Sequence, residues 1–205
     1  MRALIEQRLA GRQPLDTSRE RMLANVVGAV SAELLALMDQ STRQAAVLLG
    51  LIERADGLHL LLTERATHLT HHPGQISFPG GRLSDRHEGP VDAALREARE
   101  EVGLDPRDVS VAGCLDLHAT GTGFSVTPVV GFIAGSFEPE ADPAEVSEAF
   151  EVPLDFVFDK ANFRVSYRER FGSRFRVYEL DYGRHRIWGA TASMLMTFRN
   201  IICDD

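Results

Sequence analysis

Hydrophobic residues along the chain fall into two textures. Between residues 17 and 39, Met22, Leu23, Val26, Val27, Val30, Leu34, Leu35 and Met38 recur at helical spacing and predict one or two helices. From Gln44 the texture changes to short apolar runs. Ala45 to Ile52 and Leu58 to Thr63 flank an Ala55-Asp56-Gly57 turn and predict a β-hairpin. Residues 91–102 return to the helical period, with Pro90 suited to a first turn and Gly103 to a C-terminal stop. Strands are expected at about 109–115 and 124–134, a Pro/Glu/Asp-rich connector at 137–145, a short helix near 153–159, strands near 163–168 and 174–181, and a helix from about Gly189. Strands and helices mixed without strict β-α-β alternation predict a mixed sheet between helical layers, an α/β/α architecture. The change at residue 44 divides the chain into an N-terminal helical extension, 1–43, and a main domain, 44–205, with no internal repeat or low-complexity segment.

A chain of 205 residues, 44% of them hydrophobic, can bury one substantial core. Its net charge of −8 and pI near 5.4 leave no electrostatic footprint for wrapping a phosphate backbone, which excludes a dedicated nucleic-acid binder. Small anionic ligands stay open, because local basic groups or metal ions can hold them. Cys114 and Cys203 have neither metal-ligand nor redox spacing, and at most one disulfide could join them, which fits a reducing cytoplasm. The N-terminus meets charge at Arg2, Glu6 and Arg8 with no apolar h-region behind it. The longest apolar run, Ala45 to Ile52, is far shorter than the roughly 20 residues a membrane helix needs. The expectation is a cytoplasmic protein without a membrane or nucleic-acid partner, with a homodimer left open.

The chemistry concentrates in Ala94-Leu95-Arg96-Glu97-Ala98-Arg99-Glu100-Glu101-Val102-Gly103-Leu104. Glu97, Glu100 and Glu101 stand at i, i+3 and i+4 and share one helix face. They repel one another, and they lie in the C-terminal half of the helix, where the macrodipole also disfavours anions. Magnesium or manganese would offset both, being hard cations that take carboxylate oxygen beside substrate phosphates. Taken alone, the same string reads as a solvated face neutralised by Arg96 and Arg99.

The surrounding residues change that balance. Glu88, Arg96, Glu97, Ala98, Glu100, Glu101, Gly103 and Leu104 match the Nudix box, G-x5-E-x7-R-E-U-x-E-E-x-G-U, with Gly81 one position further from Glu88 than the pattern has it. The stretch is identified as a Nudix box. The resemblance implies a Nudix-type α/β/α sandwich in which box glutamates bind divalent cations that bridge a diphosphate, which water then cleaves. It implies Glu97 and Glu101 as direct metal ligands, Glu100 as a further or water-mediated one, and Arg96 as orienting a box glutamate. Nudix enzymes often recruit a base from a later loop; Glu145, Glu148 and Glu151 all fall in the stretch 142–152, and Glu145 is the choice.

Upstream, Leu61, Leu62, Thr63, Arg65, Ala66, Gly74, Phe78, Pro79, Gly80 and Gly81 resemble the coenzyme A diphosphatase signature, L-L-T-x-R-[SA]-x3-R-x3-G-x3-F-P-G-G. Thr70 stands where that pattern has its second arginine. The segment Ile187 to Ala192 resembles the start of that branch's C-terminal helix. The resemblance implies hydrolysis of coenzyme A or its thioesters to 3′,5′-ADP and a 4′-phosphopantetheine product. ADP-ribose, a dinucleotide or a nucleoside triphosphate are alternative substrates, and a non-catalytic Nudix sensor is the alternative of another class. Arg65 is the candidate phosphate contact, and a surface arginine at a strand end is its plain alternative. Gly80 and Gly81 allow tight backbone near phosphate. His68, His71 and His72 are too irregularly spaced for a metal cluster and read as turn or solvent residues; Cys114 reads as strand filler and Trp188 as packing.

Overall fold

The apolar run at 45–52 becomes the central strand of the molecule, and the rest of the architecture follows from covering both of its faces. The computed structural model describes residues 1–40, 42–84 and 87–204. Ahead of the main sheet lie α1 (Arg2–Leu9), α2 (Ser18–Ala24), the two-residue β1 (Val26–Val27) and α3 (Ala32–Met38). Then follow β2 (Arg43–Arg54), β3 (Gly57–Arg65), β4 (Ile76–Ser77), β5 (Gly80–Arg82) and α4 (Pro90–Val102). Next come β6 (Val109–Cys114), β7 (His118–Ala119), β8 (Phe124–Ile133), β9 (Val146–Pro153) and α5 (Leu154–Phe158). The chain ends in β10 (Arg164–Arg170), β11 (Ser173–Tyr182), β12 (His185–Trp188) and α6 (Ala190–Cys203).

Strand β2 pairs parallel with β8 over ten residues and antiparallel with β3 and β5, while β9 borders β3 and β6 borders β8. The sheet is therefore mixed. Residues Ala46, Leu48 and Ile52 face one layer with Ala93, Ala94, Ala98 and Val102 of α4. Ala45, Leu49 and Leu51 face the other, with Leu195, Phe198 and Ile202 of α6 and with Ile5 and Leu9 of α1. A strand buried on both faces reads as a continuous apolar run, as this one does. The chain is thus an α/β/α sandwich.

A second, smaller sheet is built on β11, which pairs with β10 on one side and with β1 and β12 on the other. The periodic stretch 17–39 yields α2 and α3, with Val26 and Val27 between them spent on strand pairing. Asp116, almost fully buried, ties the N-terminal residues down. It accepts Arg12 on both oxygens at 2.9 Å, the Leu15 N–H at 3.2 Å and Arg21 at 2.7 Å.

One expectation is corrected. Residues 142–152 do not form a loop throughout, because Val146–Pro153 is a strand in register with β3 from His59 to Arg65. Val146 and Val152 are buried, and the acids between them that suggested a loop are matched by partners distant in sequence.

Candidate active site

Helix α4 starts with Pro90 in its first turn and stops at Gly103, whose φ of +71° lets the Gly103 N–H cap the Arg99 carbonyl at 3.1 Å. Its small buried residues bring the helix close to β2 and β5. That approach places two box glutamates over the glycines of β5. The Gly80 N–H donates to Glu101 Oε2 at 3.1 Å. A Cβ on Gly80, at φ +154°, would lie 2.4 Å from the Ala46 carbonyl, and one on Gly81 would lie 2.4 Å from the Glu97 carboxylate. Both positions need glycine for close approach, and at Gly81 the thing approached is a box glutamate.

Arg96 is the hub of the exposed side. Its guanidinium donates to Glu88 Oε1 at 2.8 Å, Glu97 Oε1 at 2.8 Å, Glu100 Oε2 at 3.1 Å and the Arg82 carbonyl at 2.9 Å. Glu88, bonded by Arg96 and then by the Ser84 N–H, is held down to a pKa of about 2. Glu88 therefore serves as an anchor for Arg96. Residues 85 and 86, in the loop that carries the extra position after Gly81, lie outside the described residues.

The interior side is short of positive charge. Glu101 is 3% exposed, and burial above all pushes its pKa up to about 8; the Gly80 N–H opposes the rise, Glu97 adds to it, Arg65 opposes it and Glu145 adds to it. Glu97 is also raised, first by burial, against the pull of Arg96 and with the push of Glu100 and Glu145. Glu97 thus feels Glu100 and Glu145, and Glu101 feels Glu97 and Glu145. Among the described residues the guanidinium hydrogen-bonded to Glu97 and Glu100 is that of Arg96, which is shared with Glu88, and the box oxygens do not yet converge within 4.8 Å of one another. Such an all-oxygen donor set, partly desolvated and under-neutralised, fits a hard divalent cation.

The three later acids separate clearly. Glu151 receives Arg54 at 2.5 and 3.0 Å, and Glu148 receives His185 at 3.0 Å as well as Arg184. Glu145 sits in the turn before β9, where its backbone carbonyl accepts the Ala66 N–H at 2.9 Å and its carboxylate acts on Glu97 and Glu101. Of the three, only Glu145 is turned to the box.

A cleft of 640 Å³ opens beside this cluster, with Gly80 and Arg65 on its wall. Arg65 thus stands between the carboxylates and the cleft. Thr70 is exposed in the turn between β3 and β4. His68 meets the Ala144 carbonyl at 3.1 Å and His72 meets Gln75 at 2.9 Å, so both hold turns. Cys114 packs beside the α4 layer as a free thiol, and Trp188 lines the cleft. The far wall was not anticipated. It comes from β10 and β11, and its one sequence signal was density of charge: Arg164, Arg168, Arg170, Arg174, Arg176, Arg184 and Arg186 fall within a short stretch of a chain with 22 Lys and Arg in all.

The family model described as NUDIX domain matches residues 42–171. The uncharacterized Nudix hydrolase NudL of Enterobacter sp. (strain 638) is 40% identical over 153 residues, 75% of this chain and 79% of that protein. NudL of Salmonella paratyphi B (strain ATCC BAA-1250 / SPB7) is 42% identical over the same shares. Among solved structures, a Nudix hydrolase from M. smegmatis, RenU, is 28% identical with a TM-score of 0.49, covering 58% of this chain and 76% of that one.

Proposed function

This chain belongs to the Nudix hydrolases, which act on pyrophosphate bonds, and on that premise we propose that it cleaves the diphosphate of coenzyme A or its thioesters to 3′,5′-ADP and a 4′-phosphopantetheine product. The observation that carries the proposal is the meeting of two groups of residues. The under-neutralised carboxylates Glu101 and Glu97 lie against Gly80 and Gly81, and Arg65, from the segment that resembles the coenzyme A branch, stands beside them at the cleft.

In this reading Glu97 and Glu101 hold magnesium or manganese, with Glu100 at the exposed rim. A divalent cation there supplies charge neutralisation for the diphosphate and for the transition state. Arg96 keeps Glu97 and Glu100 in place, itself anchored by Glu88. Arg65 orients a phosphate by a charge-assisted contact. Glu145 takes the proton of the attacking water: it is the later acid with no arginine or histidine hydrogen-bonded to it among the described residues, and a base must be free to accept. The missing side chains of Gly80 and Gly81 let β5 lie against β2 and the Glu97 carboxylate.

The test is chromatography of products from coenzyme A, ADP-ribose and a dinucleotide, each with magnesium and with manganese. Coenzyme A should give 3′,5′-ADP with the highest kcat/KM. Far faster turnover of ADP-ribose or a dinucleotide would overturn the substrate and leave the diphosphatase chemistry standing.

A further inference from the structure

The cleft is basic in an acidic protein. Arg21, Arg65, Arg168, Arg170 and Arg176 line it against a single carboxylate, Glu169, although the whole chain carries a net charge of −8. These arginines are not equally occupied. Arg21 is bonded to Asp116 at 2.7 Å. Arg168 reaches Glu179 only at 3.6 Å, and Glu179 is already engaged by Arg186 at 2.9 and 3.2 Å and by the Ser166 hydroxyl. Arg170 lies 4.7 Å over the Phe171 ring, and neither it nor Arg176 forms an ion pair among the described residues.

The hairpin that carries them is held in a costly shape. Phe171 and Gly172 form its two-residue turn with φ of +51° and +65°. For a phenylalanine this left-handed backbone costs on the order of 1 kcal/mol or more, where asparagine or glycine would be relaxed. The conformation brings the Phe171 ring and the Arg170 guanidinium against Gly121, where a Cβ would meet Arg170 Nη1 at 2.8 Å and the ring at 3.4 Å. Arg170 is thereby braced on the wall of the cleft that Gly80 and Arg65 also line. Phe175, directly opposite Arg168 in register, lines the same cleft, and so do Tyr178 and Trp188, giving flat apolar surface beside the guanidinium groups.

We propose that the β10–β11 end of the cleft is a second anion subsite, in which Arg168 and Arg170 take a phosphomonoester that the substrate carries away from the diphosphate being cut. The aromatic residues beside them take the nucleoside to which that phosphate is attached. The substrate class is thus a nucleoside diphosphate derivative with an additional phosphate on its ribose. The proposal deepens the coenzyme A reading and rests on it for the identity of the substrate, not for the binding itself.

The experiment compares coenzyme A with 3′-dephospho-coenzyme A in the wild type and in an Arg168→Ala/Arg170→Ala double variant, alongside calorimetric binding of 3′,5′-ADP and AMP. The wild type should prefer the phosphorylated member of each pair on the order of tenfold or more, since a charge-assisted contact of this kind is worth about one decade. In the double variant both preferences should fall towards one, through KM more than kcat, and an Arg168→Lys/Arg170→Lys variant should recover part of them. Retention of the preference in the alanine variant, equal losses on both substrates, or a wild type that binds AMP as well as 3′,5′-ADP would overturn the subsite. If coenzyme A is not cleaved while the 3′,5′-ADP preference exists and is lost in the variant, the substrate reading falls and the subsite stands.

Discussion

Two clusters of acids lie on opposite faces of the same sheet, and they differ in who neutralises them. On the α4 face, Glu97 and Glu101 have raised pKa values, driven by burial. On the α6 face, Glu64 and Glu148 pair across β3 and β9 and meet His185 of β12, whose ring stacks on Phe150 at 3.7 Å. There Glu148 is lowered, first by its bond to His185 and also by Arg184. By ligand types and by convergence, the second cluster is the more conventional transition-metal site, with two carboxylates and an imidazole whose ligand atoms lie within 4.8 Å of one another. Its positive charge is already present, however, so a cation would have to displace Arg184. The lesson is that unmet charge, rather than a count of ligands, marks where a divalent ion belongs.

The largest way to break this comparison is Glu101→Gln. A neutral amide can still accept the Gly80 N–H, so the chelated protein should fold at least as stably as the wild type. It cannot hold the ion that stabilises transition-state charge, so kcat should fall by about three orders of magnitude or more. The wild type should also gain melting temperature with magnesium or manganese, and the variant much less. Paired melting curves with chelator and with metal, alongside kcat, decide it. A fully active variant, or one with an undiminished metal-induced gain, would make the α4 face a solvated charged surface.

Glu145→Gln comes next. As a base, its loss should cost about a hundredfold in kcat, while most of the metal-induced melting shift survives because Glu97 and Glu101 remain. Activity within twofold of the wild type would remove Glu145 from the reaction. This variant also probes what the sequence could tell. The box glutamates were legible because a helix fixes their geometry within four residues. Glu145 was the choice from the sequence, but the physical ground for setting Glu148 and Glu151 aside is Arg184, His185 and Arg54, which reach those two acids from 36, 37 and 97 positions away. For the same reason β9 read as part of a loop: its acids are neutralised across strands, which no local pattern records. The central strand, by contrast, was legible from its own apolar run. The basic wall of the cleft was visible only as a density of arginine, without any sign that it would line the same cleft as Arg65 and Gly80.

Proton competition sharpens the comparison further. In the chelated protein Glu101 titrates near 8, above its ordinary 4.5. With a raised carboxylate the folded state binds the extra proton. Its contribution to stability is present below the ordinary value and is lost as pH rises through about 8. Metal binding must expel that proton, so apparent metal affinity should rise by up to about tenfold per pH unit from pH ~6 to pH ~8 and flatten above. Melting curves with chelator and with manganese across that range should diverge in the wild type and run nearly parallel in Glu101→Gln. A pH-independent manganese shift in the wild type would show that Glu101 holds no proton to expel.

The smallest effect belongs to the neutralised cluster. Glu148→Gln removes the ionic part of its bonds to Arg184 and His185, in a setting where both Glu148 and Arg184 are partly exposed, so solvent screening limits the loss to about 1 kcal/mol. For a chain of this size that corresponds to about 2–4 °C in Tm. The sign with pH is opposite to that of Glu101. A lowered carboxylate contributes stability above its ordinary range and loses it as pH falls through the folded value, so wild type and variant should differ at pH ~7 and converge on acidification. Magnesium and manganese should stabilise the variant as much as the wild type, and kcat should match, because this cluster faces α6 rather than the box. A variant that keeps its fold but loses the metal-induced gain would place the divalent ion at Glu148 and His185, and with it would fall the argument that unmet charge chooses the site.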